Sequence, residues 1–135
     1  MKFSSITTLA TVGFAGISSA ARDFLKSCSD LGMSNFDGVL RIDAKCVNGN
    51  DVTQSTRLDL DKCFGWSGAT CGFTFPPASG FTKSVDIHKC QNSYTGDNDF
   101  GNNFGCFGPC DGRSDSYNVF SLNEYIGNDE GNLVC

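Results

Sequence analysis

The residues of this chain that could carry covalent, acid–base or metal chemistry are its eight cysteines, its single histidine and its many carboxylates. Because His88 is the only histidine, a histidine pair for acid–base cleavage of RNA is impossible, and no Ser, His and Asp motif surrounds it. Aspartates are plentiful, but no spacing singles out a pair suited to glycoside hydrolysis. We therefore expect a protein without catalysis, in which His88 is an exposed strand or loop residue.

The N-terminal segment, residues 1–21, has the pattern of a secretory signal peptide. Lys2 precedes an apolar run of small residues that starts at Leu9, and cleavage is expected near Ala20 or Ala21. The run is too short to cross a bilayer, which takes about 20 apolar residues. We expect a secreted, extracellular protein whose mature chain, residues 22–135, forms a single domain.

All the cysteines lie in the predicted mature chain. An even number of cysteines behind a signal peptide is typical of disulfides, which supplement the small core of a short domain. The closest pair, Cys106 and Cys110, is followed by no second pair that would complete a zinc site. We expect disulfides rather than bound metal, with a connectivity that spacing alone leaves open. The cysteines are Cys28, Cys46, Cys63, Cys71, Cys90, Cys106, Cys110 and Cys135.

The charge balance limits the partners. The chain carries 10 Lys and Arg against 15 Asp and Glu, without a basic stripe, which argues against nucleic acid or an anionic membrane as a partner. The run Asp97, Asn98, Asp99 is similar to the start of a calcium-binding loop, but the sixth position is not glycine and the twelfth, Gly108, is not glutamate. We expect no metal and no cofactor. The charge balance is compatible with a neutral ligand.

The C-terminal stretch, residues 118–135, predicts a strand, a turn and a strand. Alternating apolar residues up to Leu122 indicate the first strand, the polar cluster from Gly127 to Gly131 indicates the turn, and Leu133 starts the second strand. A weaker copy occupies residues 57–72. Its register with the tail matches Leu58, Leu60 and Phe64 to Phe120, Leu122 and Ile126. The two copies predict an internal duplication.

Further strands and turns are predicted upstream of the tail. The segment DFLKSC after Arg22 reads as a strand, residues 39–46 alternate as a second, and the polar run 48–51 indicates a hairpin. Residues 92–118 are rich in glycine, asparagine and aspartate, which predicts a loop. We expect Phe100, Phe104 and Phe107 to pack beneath this loop rather than to form an exposed contact surface.

These motifs resemble the cyanovirin-N homology domain, a two-repeat antiparallel β fold found in sugar-binding lectins. The residues that carry the likeness in the first copy are Phe24, Ser27, Cys28, Ile42, Ala44, Cys46, Leu58, Asp59, Leu60 and Asp61. Those of the second copy are Leu122, Asn123, Ile126, Asn128, Glu130, Gly131 and Leu133. The resemblance implies an all-β, elongated, pseudo-symmetric and disulfide-stabilised fold with short helical turns. Repeat one would span about 22–75 and repeat two about 81–135, joined by a proline connector at 76–80.

The resemblance also implies part of the disulfide pattern. Each repeat of the family bridges its own cysteine pair, which implies Cys28 with Cys46, and Cys90 with either Cys106 or Cys110. For the extra cysteines, our hypothesis is that Cys63 pairs with Cys71. Cys135 would then pair with whichever of Cys106 and Cys110 is left.

The resemblance further implies two metal-free sites for mannose-type glycans, each built from the opening and hairpin of one repeat and the turn of the other. The implied first site consists of Lys26, Ser27, Asn48, Asn128 and Asp129. The implied second site consists of Ser79, Gly80, Ser84, Arg113 and the turn at residues 65–68. In that turn Trp66 replaces the family's asparagine, and we expect it to be partly buried rather than stacked on a sugar.

A secreted effector or toxin-like protein is the alternative function. It would keep the scaffold and use residues 92–118 to bind a host protein. The expected partners are therefore glycans or glycoproteins or, on the alternative, a host protein. We expect a monomer or, because the Pro76–Pro77 connector is stiff, a domain-swapped dimer.

Overall fold

The computed structural model describes residues 22–77 and 80–135, which form an all-β chain with short 3₁₀ helices. The predicted signal peptide and Ser79 lie outside the described residues. The strands are β1 (Cys28–Phe36), β2 (Val39–Val47), β3 (Thr53–Asp59), β4 (Gly65–Ser67), β5 (Gly72–Thr74), β6 (Cys90–Asn92), β7 (Phe104–Cys110), β8 (Arg113–Phe120), β9 (Gly127–Asp129) and β10 (Asn132–Val134). The 3₁₀ helices are Phe24–Lys26, Leu60–Lys62, Phe81–Lys83, Ile87–Lys89, Asp97–Asp99 and Leu122–Glu124. None of the described helices is long and apolar enough to cross a membrane.

The strands form two three-stranded antiparallel sheets and two short hairpins. The strand order is β1-β2-β3 in the first sheet and β6-β7-β8 in the second, while β4 pairs with β5 and β9 with β10. Strand β2 shows why the sheets form, because every second side chain from Leu40 to Cys46 is buried. Asp37 and Gly38 both have positive φ, at 52° and 77°, so they close the β1–β2 hairpin with a turn that matches the twist of its strands.

The predicted duplication is present in the backbone. In the first copy Phe64 N–H donates to the Leu60 carbonyl at 3.0 Å, and in the second Ile126 N–H donates to the Leu122 carbonyl at 2.9 Å. These are the residues that the sequence places in register. The predicted pseudo-symmetric repeat fold is therefore confirmed.

A second matched pair of contacts anchors each copy to the opening of a repeat. The Asp61 carboxylate accepts from Thr82 N–H at 3.0 Å, and the Asn123 carboxamide oxygen accepts from Leu25 N–H at 3.1 Å. Thr82 and Leu25 each follow a phenylalanine that is fully buried. A short acceptor side chain at the equivalent position of each copy, Asp61 or Asn123, therefore fixes the entry of the chain into both halves.

Each hairpin packs on the sheet of the other repeat. Strand β10 lies beside β3, where Leu133 N–H donates to Thr56 Oγ1 at 3.0 Å. Strand β5 lies beside β8, where Phe73 N–H donates to Asn118 Oδ1 at 3.5 Å. This exchange brings the turn of each copy against the opening and hairpin of the other, and so creates two clefts between the repeats.

A single hydrophobic cluster joins the two halves. Phe100, which belongs to the predicted loop, packs edge-on against Phe24 with ring centroids 6.5 Å apart. Phe100 and Phe104 are fully buried, so the prediction that they pack beneath the loop is confirmed. Phe107 differs, because 40% of it is exposed.

Two predicted boundaries are wrong because a short 3₁₀ helix and a strand give the same local alternation of apolar residues. In DFLKSC, residues 24–26 are helical and the strand starts only at Cys28. In the tail, β8 ends at Phe120 and the helix Leu122–Glu124 follows. The predicted turn at 127–131 is mostly strand β9, and only Glu130 and Gly131 have the positive φ of a turn, at 48° and 85°.

The prediction of a loop over residues 92–118 is also wrong for its second half, which contains β7 and most of β8. Two of the glycines that suggested a loop, both on β7, allow close packing instead. A Cβ at Gly105 would overlap the Tyr117 side chain, and a Cβ at Gly108 would overlap the Trp66 ring. Glycine in this sheet therefore makes room for aromatic rings.

Four disulfides connect the described cysteines. Cys28–Cys46 and Cys90–Cys106 join neighbouring strands within each repeat, as the resemblance implies. The other two bonds are Cys63–Cys135 and Cys71–Cys110, so our hypothesis of Cys63 with Cys71 and Cys135 with Cys110 is wrong. The physical reason is the exchange of hairpins, which carries these cysteines away from their sequence neighbours and onto the opposite repeat.

Candidate functional site

The first cleft lies between the opening of repeat one, its β2–β3 hairpin and the tail hairpin. Backbone hydrogen bonds hold the tail over this opening, with Asp23 N–H donating to the Asn123 carbonyl at 2.8 Å and Phe24 N–H to the Ile126 carbonyl at 3.2 Å. The β9–β10 turn therefore lies beside residues 27 and 47–49. These are the elements from which the implied first site was built.

Asn128 is the residue that joins the two sides of this cleft. Its Nδ2 donates to Ser27 Oγ at 2.9 Å and to the Val47 carbonyl at 2.8 Å. Its Oδ1 accepts from Gly131 N–H at 2.8 Å and so also fixes the turn. Both amide donors are used, and one acceptor position is left for a ligand. Asn128 therefore acts first as a strut that positions Ser27 and the hairpin.

The turn of the β2–β3 hairpin is organised by Asn48. Its Oδ1 accepts from Asn50 N–H at 2.9 Å and from Val52 N–H at 3.0 Å. In the described part of the chain its Nδ2 has no hydrogen-bond partner. Asn side chains often hydrogen-bond nearby backbone, and here the Asn48 side chain caps a tight turn in this way. Its amide group stays available as a donor at the mouth of the cleft.

Glu130 spans one edge of the cleft and was missed as a site residue. Its carboxylate Oε2 accepts from Gly49 N–H at 2.9 Å, and its carbonyl accepts weakly from Gln54 Nε2 at 3.4 Å. Side chains alternate along a strand, so Asp129 faces away from Asn128, is exposed, and makes no hydrogen bond within the described residues. Glu130 follows the end of β9 and has a positive φ of 48°, so strand alternation could not have identified it.

Lys26 lies at the edge of the cleft and is paired locally. Its ammonium group donates a hydrogen bond to Asp23 at 2.8 Å and holds the pKa of that carboxyl below its usual value. Both side chains are largely exposed. The structure therefore brings together Ser27, Asn48 and Asn128, with Lys26 beside them.

The second cleft is filled. Trp66, which follows Phe64 by two residues as Asn128 follows Ile126, is 7% exposed, so its predicted burial is confirmed. Its Nε1 donates to the Pro109 carbonyl at 2.8 Å, and its ring lies on Gly108. Like the Asn128 amide, the indole N–H donates to a backbone carbonyl of the other repeat's hairpin. The indole ring also fills the space between the turn and that hairpin.

Two further links close the second cleft. Asp111 N–H donates to the Gly68 carbonyl at 2.9 Å, and the Cys71–Cys110 disulfide joins the same two turns. Of the other implied residues, Ser84 donates its N–H to the Phe81 carbonyl at the end of a 3₁₀ helix, and Arg113 is exposed at the start of β8. Gly80 leaves room for the Asp61 side chain. Within residues 22–77 and 80–135, no hydrogen bond links Ser84 or Arg113 to the turn at residues 65–68.

The acidic run at residues 97–99, which is similar to the start of a calcium loop, accepts hydrogen bonds from backbone N–H groups instead. Asp97 Oδ2 accepts from Asp30 N–H at 3.0 Å. Thr95 and Gly96 N–H donate to the Asp99 carboxylate, each at 3.0 Å, and lower the pKa of that group. Among residues 22–77 and 80–135, no group of three His, Cys, Asp or Glu could hold a metal ion.

The fold and the first cleft define a class of disulfide-bonded β proteins in which two repeats exchange hairpins and form clefts at their junction. A family model for the CVNH domain matches residues 24–134, so this chain belongs to the CVNH (cyanovirin-N homology) domain family.

Solved structures agree with this assignment. The NMR structure of the Gibberella zeae CVNH protein is 26% identical, with a TM-score of 0.63 over 83% of this chain and 95% of that one. A MoCVNH3 variant in complex with (N-GlcNAc)4 is 15% identical, with a TM-score of 0.63 over 86% of this chain and 98% of that one. Microvirin in complex with mannobiose is 15% identical, with a TM-score of 0.62 over 81% and 94%. A search of curated protein sequences finds no match.

Proposed function

We propose that this protein is a secreted lectin that binds a neutral oligosaccharide in the first cleft, without metal and without catalysis. Two observations outside this chain support the ligand class, namely a fold neighbour in complex with mannobiose and another in complex with a GlcNAc tetramer. Because the chain resembles the family, we take mannose-type glycans as the first ligands to test. The signal-like N-terminal pattern and the four disulfides support secretion.

The observation that carries the proposal is the unused hydrogen-bonding capacity at the mouth of the first cleft. Ser27 accepts from Asn128 and keeps its hydroxyl proton, Asn48 keeps its Nδ2 donors, and Glu130 uses only Oε2 within the described residues. Sugar hydroxyls both donate and accept, so they are bound by such a mixture of hydroxyl, amide and carboxylate groups. Asn128 and Glu130 already hold the tail turn against residues 27 and 47–49. The cleft therefore loses less conformational entropy when a ligand binds.

A matched pair of variants tests the site. Glu130→Gln and Asp129→Asn make the same chemical change at neighbouring positions, but only Glu130 faces the cleft. Isothermal titration with mannobiose and with a GlcNAc tetramer should show binding by the unchanged protein, weaker binding by Glu130→Gln, and little change with Asp129→Asn. A loss of binding with Asp129→Asn alone would instead support the site first inferred from the sequence.

Absence of heat or saturation with these sugars and across a glycan array would contradict the lectin proposal. The alternative of an effector that binds a host protein would then be favoured.

A further inference from the structure

An aromatic cavity of about 290 Å³ lies where the β4–β5 hairpin of repeat one meets the end of β8. Five aromatic rings line it together with one threonine and one asparagine, and none of these side chains is charged. The lining residues are Phe64, Phe73, Thr74, Phe75, Asn118, Phe120 and Tyr125. None of them is among the residues assigned to either cleft, so this cavity is separate from the proposed sugar site.

The rings form the walls of the cavity by packing edge-on. The Phe64 ring is 1% exposed and lies edge-on to Phe120 and Tyr125, with centroids 4.9 and 5.8 Å away. The Phe75 ring lies 4.8 Å from Tyr125 and is 44% exposed. The cavity therefore has a buried wall at Phe64 and a wall at Phe75 that reaches solvent, so a ligand can enter beside Phe75.

The internal duplication identifies the counterpart of Tyr125 in the other half. Tyr125 N–H donates to the Leu122 carbonyl at 3.0 Å, and Cys63 N–H donates to the Leu60 carbonyl at 3.0 Å. Each of the two residues ends a 3₁₀ helix of its own copy. Cys63 therefore occupies the position of Tyr125.

The counterpart of Phe75 is Cys135. Phe75 follows Phe73 by two residues and Cys135 follows Leu133 by two, and both Phe73 and Leu133 donate their N–H to a side chain on the sheet of the other repeat. The hairpins β4–β5 and β9–β10 are equivalent parts of the two copies. The positions of Phe75 and Tyr125 thus correspond to the two cysteines of a disulfide.

The two halves treat this position differently. In one half the Cys63–Cys135 disulfide joins the hairpin to the helix end, and Cys63 is fully buried. In the other half two large rings, Phe75 and Tyr125, stand at these positions without a covalent bond and border an open cavity. The aromatic half therefore has space for a ligand where the other half has a cross-link.

Thr74 supplies a polar group that has no use within the fold. Its Oγ1 atom is buried and has no hydrogen-bond partner within the described residues, although buried polar atoms are nearly always paired. Asn118 also lines the cavity, and its Oδ1 accepts only a long bond of 3.5 Å from Phe73 N–H. The equivalent of Thr74 in the other hairpin is Val134, which has the same shape without a hydroxyl. Packing alone therefore does not account for the hydroxyl of Thr74.

We propose that this cavity binds a neutral aromatic molecule of about two fused rings that carries a hydroxyl group. The rings of the ligand pack against Phe64, Phe75 and Tyr125, while its hydroxyl hydrogen-bonds with Thr74 Oγ1. An apolar cavity of about 150 Å³ holds one benzene, so about 290 Å³ has room for two rings. A sugar fits this lining poorly, because its many hydroxyls need more hydrogen-bonding groups than the aromatic walls offer. This proposal does not rest on the proposed function.

Titration of the ¹⁵N-labelled protein with 2-naphthol, and separately with naphthalene, tests the cavity by NMR. Both probes should cause saturable shifts of the Thr74 and Tyr125 amides. Thr74→Val should weaken the binding of 2-naphthol by about fivefold without weakening that of naphthalene, since it removes a hydroxyl and keeps the shape of the side chain. This substitution introduces the residue type that the other hairpin carries at Val134, so the fold should tolerate it.

A second variant tests the aromatic wall. Phe75→Ala should weaken the binding of both probes by about tenfold or more, because it removes the ring that borders the open side. The matched control is Phe36→Ala, which removes a 62% exposed phenylalanine from the first sheet and should leave both affinities unchanged.

The outcomes separate this proposal from the sugar site. Absence of saturable shifts at Thr74 and Tyr125 with either probe would overturn the cavity as a binding site. An equal affinity of Thr74→Val and the unchanged protein for 2-naphthol would overturn the assigned ligand class, and unchanged binding by Phe75→Ala would overturn the location. Probe-independent shifts that depend on protein concentration would show that a second copy occupies the cavity, which also overturns it. Titration with mannobiose, followed at Gly49 and Gly131, tests the first cleft alone, so either proposal can fail without the other.

Discussion

The two clefts between the repeats start from the same scaffold and end in opposite states. In each, a residue two positions after a buried apolar side chain reaches across and donates to a backbone carbonyl of the other repeat's hairpin. Asn128 does so with a small amide that leaves polar groups at the junction, and Trp66 does so with an indole that fills it. A single position in the duplicated unit thus decides whether the junction is polar or is part of the core.

The residues around Asn128 and around Trp66 differ in the same sense. Around Asn128 the hairpin is short and polar, and Glu130 spans the gap to Gly49. Around Trp66 the hairpin provides Gly108 as a seat for the ring, and a disulfide joins the two turns. The first junction is fixed by hydrogen bonds at its rim, and the second by packing and a covalent bond. The predictions below test this difference.

The largest expected effect is the destabilisation caused by Trp66→Ala. The ring is almost completely buried and its loss leaves a cavity and an unpaired Pro109 carbonyl, so we expect a decrease of about 3–5 kcal/mol in the free energy of unfolding. Denaturant unfolding monitored by circular dichroism measures it. Sugar binding in the first cleft should persist below the unfolding midpoint. A decrease below about 1 kcal/mol would mean that the second junction is not a packed core.

Gly108→Ala tests whether Trp66 determines the hairpin. A methyl group at residue 108 would overlap the indole, and we expect a destabilisation of about 1–3 kcal/mol. In the Trp66→Ala background the same substitution has space, so its cost should largely disappear, and the double-mutant cycle measures this coupling. Gly96→Ala is the control, because nothing lies within 4 Å of a Cβ there. Additive effects of the two substitutions would contradict the packing account.

Much of this architecture is predictable from the sequence, because the repeats preserve the pattern of buried positions. The register of Leu60 with Leu122 and of Phe64 with Ile126 is correct. The resemblance implies Cys28 with Cys46 correctly, and Cys90–Cys106 is one of the two pairings it left open for Cys90. The exchange of hairpins is a long-range property, so reasoning from neighbours in sequence mispaired Cys63 and Cys71. Composition also does not distinguish Gly108 and Gly105, which make room for the rings of Trp66 and Tyr117, from the glycines of a loop, because those contacts are long-range as well.

The site could be predicted less completely than the fold. The sequence located the turn at Asn128, but it did not show that the Asn128 amide is used within the protein or that Glu130 turns toward Gly49. Those facts depend on positive φ at residues 130 and 131, which reorients the side chain after the strand ends. Phe107 and Tyr117 lie on strands β7 and β8, which the composition of residues 92–118 predicts as a loop, so the sequence does not show that these two rings pack together.

Asn128→Ala should have a smaller effect on stability than either change at the second junction, with a larger effect on binding. It removes two donated hydrogen bonds and one accepted bond at a partly exposed position, so we expect a destabilisation of about 1–2 kcal/mol. Sugar binding should be lost because Ser27 and the hairpin are no longer positioned. Asp129→Ala in the same turn should change stability by less than about 0.5 kcal/mol. Unaltered binding by Asn128→Ala would show that the strut is not needed.

The smallest effect concerns pH and contrasts the outer faces of the two sheets. The Ser34 hydroxyl and then the Arg57 guanidinium, which both donate to Asp43, lower the pKa of this carboxyl below its usual value. A lowered pKa means that the unfolded chain binds the proton more readily. The stabilisation is therefore complete above the unfolded value of about 4 and is lost as the pH falls through the lower folded value. The difference in unfolding free energy between the unchanged protein and Asp43→Asn should shrink below about pH 4. Asp115→Asn, on the second sheet, removes no hydrogen bond within the described residues and should change the unfolding free energy at about pH 7 by less than about 0.5 kcal/mol. A constant difference for Asp43→Asn across the acidic range would mean that the charged network of the first face does not stabilise the fold.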